Sequence, residues 1–245
     1  MLEALSVTAD AGVTELACEL GTSKATVNRL LTTLLRAGFV EQDAESRRYN
    51  LSLKIAVLAE SVRSRTGVVE LARDHLKRFA ERVGETVNLG VMLDGALVYA
   101  DTIPSRHILG IETRSGSSLP AYCTGAGKVL LAHLPEEQLT EYLSALVPVQ
   151  HTTTTLTTET AIREELERVS RAGFALDRGE LLEEAWCAAA PIFGRDRLVL
   201  ASVSVSAPRS HFAAKRDELV TEVVGVAAEI GRRAYELGTT APRSV

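Results

Sequence analysis

Lys24, Thr26, Asn28, Arg29, Thr33 and Arg36 form the polar face of one helical segment, with no acid among them. Cationic side chains on such a face meet phosphate oxygens, while amide and hydroxyl groups read base edges in the major groove. Thr22 and Ser23 stand just before it and supply oxygens that cap the helix. Arg47 and Arg48 follow in a polar turn, where they suit the DNA backbone or the minor groove. The competing reading is a protein-contact module, because residues 1–62 hold six basic side chains against eight acidic ones. Those acids fall on the preceding helix and the strands, away from the reading face.

A second set is Ser202, Ser204 and Ser206, two apart on a strand and therefore on one face. Val203 and Val205 point the other way, into a core. Hydroxyls on one side of an apolar strand form a polar pocket floor, unless they bond to backbone instead.

Enzyme chemistry finds less support. Gly125-Ala126-Gly127-Lys128 invites a phosphate loop, but a Walker A loop needs Gly where Tyr122 stands and Ser or Thr where Val129 stands. His75, His107, His133, His151 and His211 show no H-x-x-x-H metal spacing. No metal and no cofactor is expected. Cys187 sits in an apolar run and reads as a buried, inert thiol, and Cys18 as a helix-packing residue. A Cys/His pair that meets only in space stays open, and with it an enzyme carrying a regulatory head. Trp186 reads equally as pocket lining or core.

These residues need elements to hold them. Leu16, Ala17 and Leu20 share one face of a short helix that Thr14 can cap and Gly21 stops. Lys24 to Ala37 is a second helix with Val27, Leu30, Leu31 and Leu34 as its apolar stripe. Helix, glycine turn, helix, with small Ala17 at the crossing, is a helix-turn-helix. Phe39-Val40 and Arg48-Tyr49-Asn50-Leu51 predict the two strands of a wing. Residues 53–66 predict a helical connector, and Val68 to Val83 an amphipathic helix. Residues 86–93 and 96–103 predict a hairpin about Asp94-Gly95. A third strand is expected at 107–113 and helices near 124–134, after Pro135 and at 159–172. Strands at Phe174–Asp177, 187–193 and 198–206 follow, then a helix from Ala213 to Leu237. The reading is α+β: residues 1–52 a winged helix-turn-helix, 53–66 a linker, 67–238 an antiparallel-sheet domain of five or six strands, and 239–245 a disordered tail.

With 46% hydrophobic and 24% charged residues, the 245-residue chain has apolar material for one or two cores. A net charge of −5 excludes bulk coating of nucleic acid, so DNA binding must rest on a local patch. No apolar run is long enough to span a bilayer and the N-terminus is unlike a secretory signal, so no membrane partner is expected. Three separated cysteines read as reduced thiols of a cytoplasmic protein.

In this order the parts resemble the IclR family of bacterial transcriptional regulators. The resemblance is carried by T-E-L-A-C-E-L-G-T-S-K-A-T-V-N-R-L-L-T-T-L-L-R-A-G-F-V-E, by S-L-P-A-Y-C-T-G-A-G-K-V-L-L-A at 118–132, by A-G-F-A-L-D-R-G-E at 172–180, and by C-A-A-A-P-I-F at 187–193 with S-V-S-V-S-A-P at 202–208. It implies a GAF-like effector domain, a homodimer or homotetramer on a pseudo-palindromic double-stranded operator, control by a small carboxylate, and repression. It puts Gly125, Ala126, Asp177, Cys187, Ser204 and Ser206 against the effector. Gly125 and Gly127 would leave backbone N–H groups bare at a helix start, and Ile108, Ile111 and Leu119 would be the apolar wall. Two departures stand out. Only Leu2 to Ser6 remain of a first helix that is usually longer, pointing to a misassigned start or a less stable domain. Arg178 also interrupts a stretch after Asp177 that is usually more acidic.

Overall fold

A computed structural model describes residues 1–8, 10–63, 67–108 and 110–240. The chain divides into two compact units, residues 1–66 and 67–245. No helix among the described residues is long and apolar enough to cross a membrane.

The first unit runs α1 (Leu2–Val7), α2 (Val13–Glu19), α3 (Lys24–Arg36), β1 (Val40–Gln42), β2 (Tyr49–Leu51) and α4 (Leu53–Arg63). Gly21 makes the turn between α2 and α3 at φ 58°, a conformation that disfavours a Cβ. Leu5, Leu16, Ala17, Val27, Leu31, Val40 and Tyr49 form its core. β1 and β2 pair antiparallel from Val40–Leu51 to Gln42–Tyr49, and Ala11 bridges to Tyr49. Three local expectations are corrected. The cap of α2 is Gly12, whose N–H donates to Glu15 Oε2 at 3.0 Å, and not Thr14. Leu20 and Leu30 are exposed, with Leu35 packing in the stripe in place of Leu30. Cys18 is exposed, so it does not pack between helices.

The second unit holds α5 (Gly67–Val83), β3 (Thr86–Leu93), β4 (Ala96–Ile103), β5 (Ser118–Pro120), α6 (Gly125–Leu131), α7 (Glu136–Ala145), α8 (Glu159–Ala172), β6 (Ala175–Arg178), β7 (Ala185–Phe193), β8 (Val199–Pro208) and α9 (Arg209–Glu236). Its six strands form one antiparallel sheet in the order β5-β4-β3-β8-β7-β6. Asp94 and Gly95 turn the β3–β4 hairpin with φ of 49° and 75°, the left-handed pair such a tight turn requires. Val87, Leu89, Val203, Val205, Ala188 and Ile192 face α5 and α9, against Leu76, Phe79, Phe212 and Val223. Each of these buried Val, Leu, Ile and Phe side chains contributes roughly 1.5–3 kcal/mol. The other sheet face packs α6, with α7 and α8 behind it, around Leu97, Tyr99, Ala126, Val129, Cys187 and Ala189. The strand expected at 107–113 does not form: β4 finds its edge partner in Ser118–Pro120. Leu109 and residues 64–66 lie outside the described residues. Of the tail, 241–245 lies outside them too, while Thr239 donates to the Ala234 carbonyl and accepts from Arg195 N–H, so order extends into it.

Candidate functional site

The reading face of α3 begins at Ser23, whose Oγ accepts the Thr26 N–H at 3.2 Å and lies 3.0 Å from Thr26 Oγ1. Thr33 donates back to the Arg29 carbonyl, so its hydroxyl is partly committed to the helix. Thr22 is half-buried. Lys24, Asn28 and Arg29 are exposed, and their side chains have no hydrogen bond or ion pair among the described residues. The wing differs from expectation. Arg48 is held by Glu15 at 2.6 Å and Asp10 at 3.1 Å, because β2 runs beside the start of α2. The Arg48 guanidinium is thereby held charged by Glu15 and then Asp10, and the Glu15 carboxyl is held low. One exposed guanidinium, Arg47, remains at the wing turn instead of two, on backbone at φ 59°.

In the second unit the sheet brings a set of sequence-distant polar groups onto the α6 face. Register pairs Cys187 with Ser206 and with Asp177, Ser204 with Asn88 and Ala189, and Ser202 with Gly90. A Cβ on Gly125 would come within 3.1 Å of Cys187 Sγ and 3.6 Å of Asp177 N. Asp177, Cys187, Ser204 and Ser206 therefore share the α6 face of the sheet, with Gly125 beside Cys187 and Ala126 beside Gly90, and all are buried. Gly127 serves packing instead, because a Cβ there would collide with the Ala121 backbone. Leu119 is half-buried beside Leu97. Ile111 is half-buried, and its carbonyl accepts from Thr86 Oγ1 at 2.6 Å. Ile108 is 103% exposed and forms no part of an apolar wall. Trp186 points to the opposite face and stacks edge-on against Phe212 in the core, with Arg209 over its ring.

Asn88, Tyr99 and Gly90 join this cluster, and the sequence did not single them out. Asn88 is fully buried; its Oδ1 accepts from Thr102 and Thr113 hydroxyls at 3.0 and 2.6 Å, while its Nδ2 has no partner among the described residues. Ser204 Oγ also lacks a well-formed hydrogen bond, although the Tyr99 hydroxyl and Cys187 thiol lie near it. Gly90 has a structural role: a Cβ there would meet Leu97 at 2.7 Å and Ser202 Oγ at 2.8 Å. Unpaired buried polar atoms are few in folded proteins and call for an explanation. Asparagine and tyrosine inside an alternating strand give no signal that sets them apart from packing residues.

Electrostatics sharpen the picture. Burial pushes the Asp177 carboxyl up to about 7; the Glu180 N–H, donated at 2.7 Å, and the Lys128 charge pull it back only in part. Burial pushes the Cys187 thiol up to about 12, with Asp177 adding to it, so Cys187 is no thiolate nucleophile. Within α6, Lys128 is 1% exposed; its Nζ donates to the Leu176 carbonyl at 2.7 Å, to Glu165 at 3.1 Å and to Glu180. Arg178 points out of the sheet to solvent.

Comparison with known proteins follows the same two units. The family described as IclR helix-turn-helix domain matches residues 1–44, and that described as Bacterial transcriptional regulator IclR C-terminal matches residues 60–232. The chain is similar to the HTH-type transcriptional regulator KdgR of Escherichia coli, 30% identical over 96% of this chain and 91% of that one. It is 31% identical to the transcriptional repressor IclR of Escherichia coli, over 86% of this chain and 76% of that one. An IclR transcriptional regulator from Alicyclobacillus acidocaldarius superposes with a TM-score of 0.84 at 26% identity, covering 97% and 94% of the two chains. An IclR homolog from Microbacterium hydrocarbonoxydans, complexed with 4-hydroxybenzoate, shares the fold with a TM-score of 0.81 at 22% identity, covering 95% and 96%.

Proposed function

The chain belongs to the IclR family of bacterial transcriptional regulators, with a helix-turn-helix and an effector-binding C-terminal domain, and from that premise we propose a carboxylate-responsive operator-binding repressor. Residues 1–52 are the DNA-binding domain, 53–66 the linker and 67–238 the effector domain. In a homodimer, or a pair of dimers, two α3 helices enter successive major grooves by their Ser23–Arg29 ends. The operator is then a pseudo-palindrome. Lys24 and Arg29 neutralise phosphates, Asn28 and Thr26 meet base edges, and Arg47 reaches the backbone beside the groove.

The effector sits among Gly125, Ala126, Asp177, Cys187, Ser204 and Ser206, with Asn88 added as a donor. The observation that carries this is the unpartnered Asn88 amide nitrogen directly across from Ser204, on a face otherwise closed by α6. An N–H donor, hydroxyls and a carboxyl whose burial lets it keep a proton up to about pH 7 form a set that accepts an anion below that pH. A deprotonated Asp177 would repel it. The 4-hydroxybenzoate held by the Microbacterium homolog is a carboxylate of that kind. α6 packs tightly on the face, so a ligand that enters favours a different arrangement of α6. Only differential affinity for two arrangements can alter DNA binding.

The test uses the full-length protein with a selected operator duplex and a panel of small carboxylates. Arg29→Ala weakens DNA binding about tenfold or more without changing effector affinity. Ser204→Ala combined with Ser206→Ala does the reverse. If both variants lose both activities, the two-module account fails.

A further inference from the structure

The five histidines have no metal-binding spacing in sequence, yet the fold brings two of them onto one buried carboxylate. We propose that Glu85, His107 and His211 form a site for a transition-metal ion of the zinc class in the C-terminal unit, separate from the effector cluster. Glu85 lies between α5 and β3 and is 2% exposed. Its Oε1 is 3.0 Å from His211 Nδ1 and 3.5 Å from His107 Nε2. The three candidate ligand atoms all lie within 4.8 Å of one another. Donors bound tetrahedrally at zinc distances stand about 3.4 Å apart, so two of the three separations already match.

A second observation points to a ligand. Glu85 Oε2 is buried without a hydrogen-bond partner among the described residues, an expensive position for a carboxylate oxygen, while the two histidines meet only Oε1. The surroundings also fix the histidines. Gly84 takes φ 76°, and a Cβ on it would stand 3.1 Å from His107 Nε2, so glycine clears the ring. Ser105 Oγ donates to the Gly84 carbonyl at 2.9 Å, Arg106 N–H donates to the same carbonyl, and Ser105 N–H donates to Thr86 Oγ1. These bonds staple the His107 loop to the start of β3. His211 arrives from the first turn of α9, and its ring meets that of His107 edge-on at 5.1 Å.

Two imidazoles and one carboxylate suit zinc, cobalt or nickel better than calcium or magnesium. The half-exposed histidines leave an entry path and a fourth position for water. The positive end of α9 opposes a cation, and the Glu85 charge offsets it. A bound ion ties the end of α5, the 104–107 loop and the start of α9 into one clip, one residue from the Thr86–Ser206 pair.

Cobalt(II) titration of the full-length chain in a Cys18→Ser background tests this, because Cys18 is the exposed thiol that would compete. The expected result is one cobalt per chain with the strong visible bands of tetrahedral coordination, displaced by zinc, and a thermal midpoint raised by zinc. His107→Ala and His211→Ala each weaken binding by at least about tenfold, the loss that even outer-shell changes produce. Both histidines are half-exposed, so these variants retain the fold; Glu85→Gln adds an isosteric check. A weak octahedral spectrum, or a tetrahedral one that survives in the His107→Ala, His211→Ala double variant, overturns the proposal and leaves an ordinary Glu–His hydrogen-bonded group.

Discussion

Asn88 and Ser204 stand opposite each other across the β3–β8 ladder, and the Asn88 amide nitrogen is buried there with no partner among the described residues. The Asn88 carbonyl oxygen is by contrast doubly satisfied by Thr102 and Thr113. The residue is thus held rigidly with its donor end unused. Asn88→Ala is expected to weaken effector affinity about tenfold to a hundredfold, the range for a hydrogen bond to a charged group. Operator affinity without effector should stay within about twofold of the parent. Calorimetry with the effector and a mobility shift with the operator read the two quantities separately.

Asp177 predicts a pH dependence. Its folded pKa of about 7 lies above the ordinary 3.8, so the native state holds a proton that the unfolded chain has lost. Stability from this group is complete below about pH 4, falls as pH rises, and is gone above about pH 7. The full difference corresponds to up to about 4 kcal/mol. Asp177→Asn should flatten that part of the stability curve in urea titrations from pH 5 to 8. Effector affinity should fall above pH 7 in the parent and persist in Asp177→Asn. The same slope in both proteins would remove Asp177 from the account.

Lys128 is the buried cation of α6, and Glu165, Glu180 and the Leu176 carbonyl close around it. Burial raises the Glu180 carboxyl, which Lys128 pulls back. Lys128→Met leaves those acids without their buried partner, and the expected loss is about 3–5 kcal/mol. Glu180→Gln should be milder, because a neutral amide still accepts from the ammonium. Denaturant midpoints of the two variants, with unchanged slope, check the ordering.

On the DNA face, Arg29 and Arg48 separate by their partners. Arg29→Ala should lower operator affinity and reduce the salt slope by about one counterion. Arg48→Ala breaks the contacts to Glu15 and Asp10 instead, loosening the wing against α2. Its DNA effect should be smaller, with an altered thermal midpoint of the first unit. Binding isotherms at several salt concentrations distinguish them.

Elements with strong local signals were legible in the chain. Asp94-Gly95 between two alternating runs sets the hairpin, and both strands match their expected ranges. Gly173 likewise ends α8 in the left-handed conformation that glycine allows. The 107–113 run misled because alternation alone cannot say which segment reaches the open edge of β4; Ser118–Pro120 takes it. The serines of β8 and Asp177 were readable from alternation and motif. Asn88 was not, since its importance lies in a missing partner. Lys128 was visible only as a failed phosphate loop, and its burial depends on α8 and β6 packing from far along the chain. Glu85, His107 and His211 are joined solely by tertiary structure.

The central claim is that this chain is a dimeric, sequence-specific operator-binding protein under effector control. Selection of sites from a random duplex pool at moderate salt, with the full-length protein, tests it most directly. The account predicts enrichment of an inverted repeat whose half-sites are about one helical turn apart or a multiple of it. Enrichment of no sequence, or of a single non-repeated site, would contradict it.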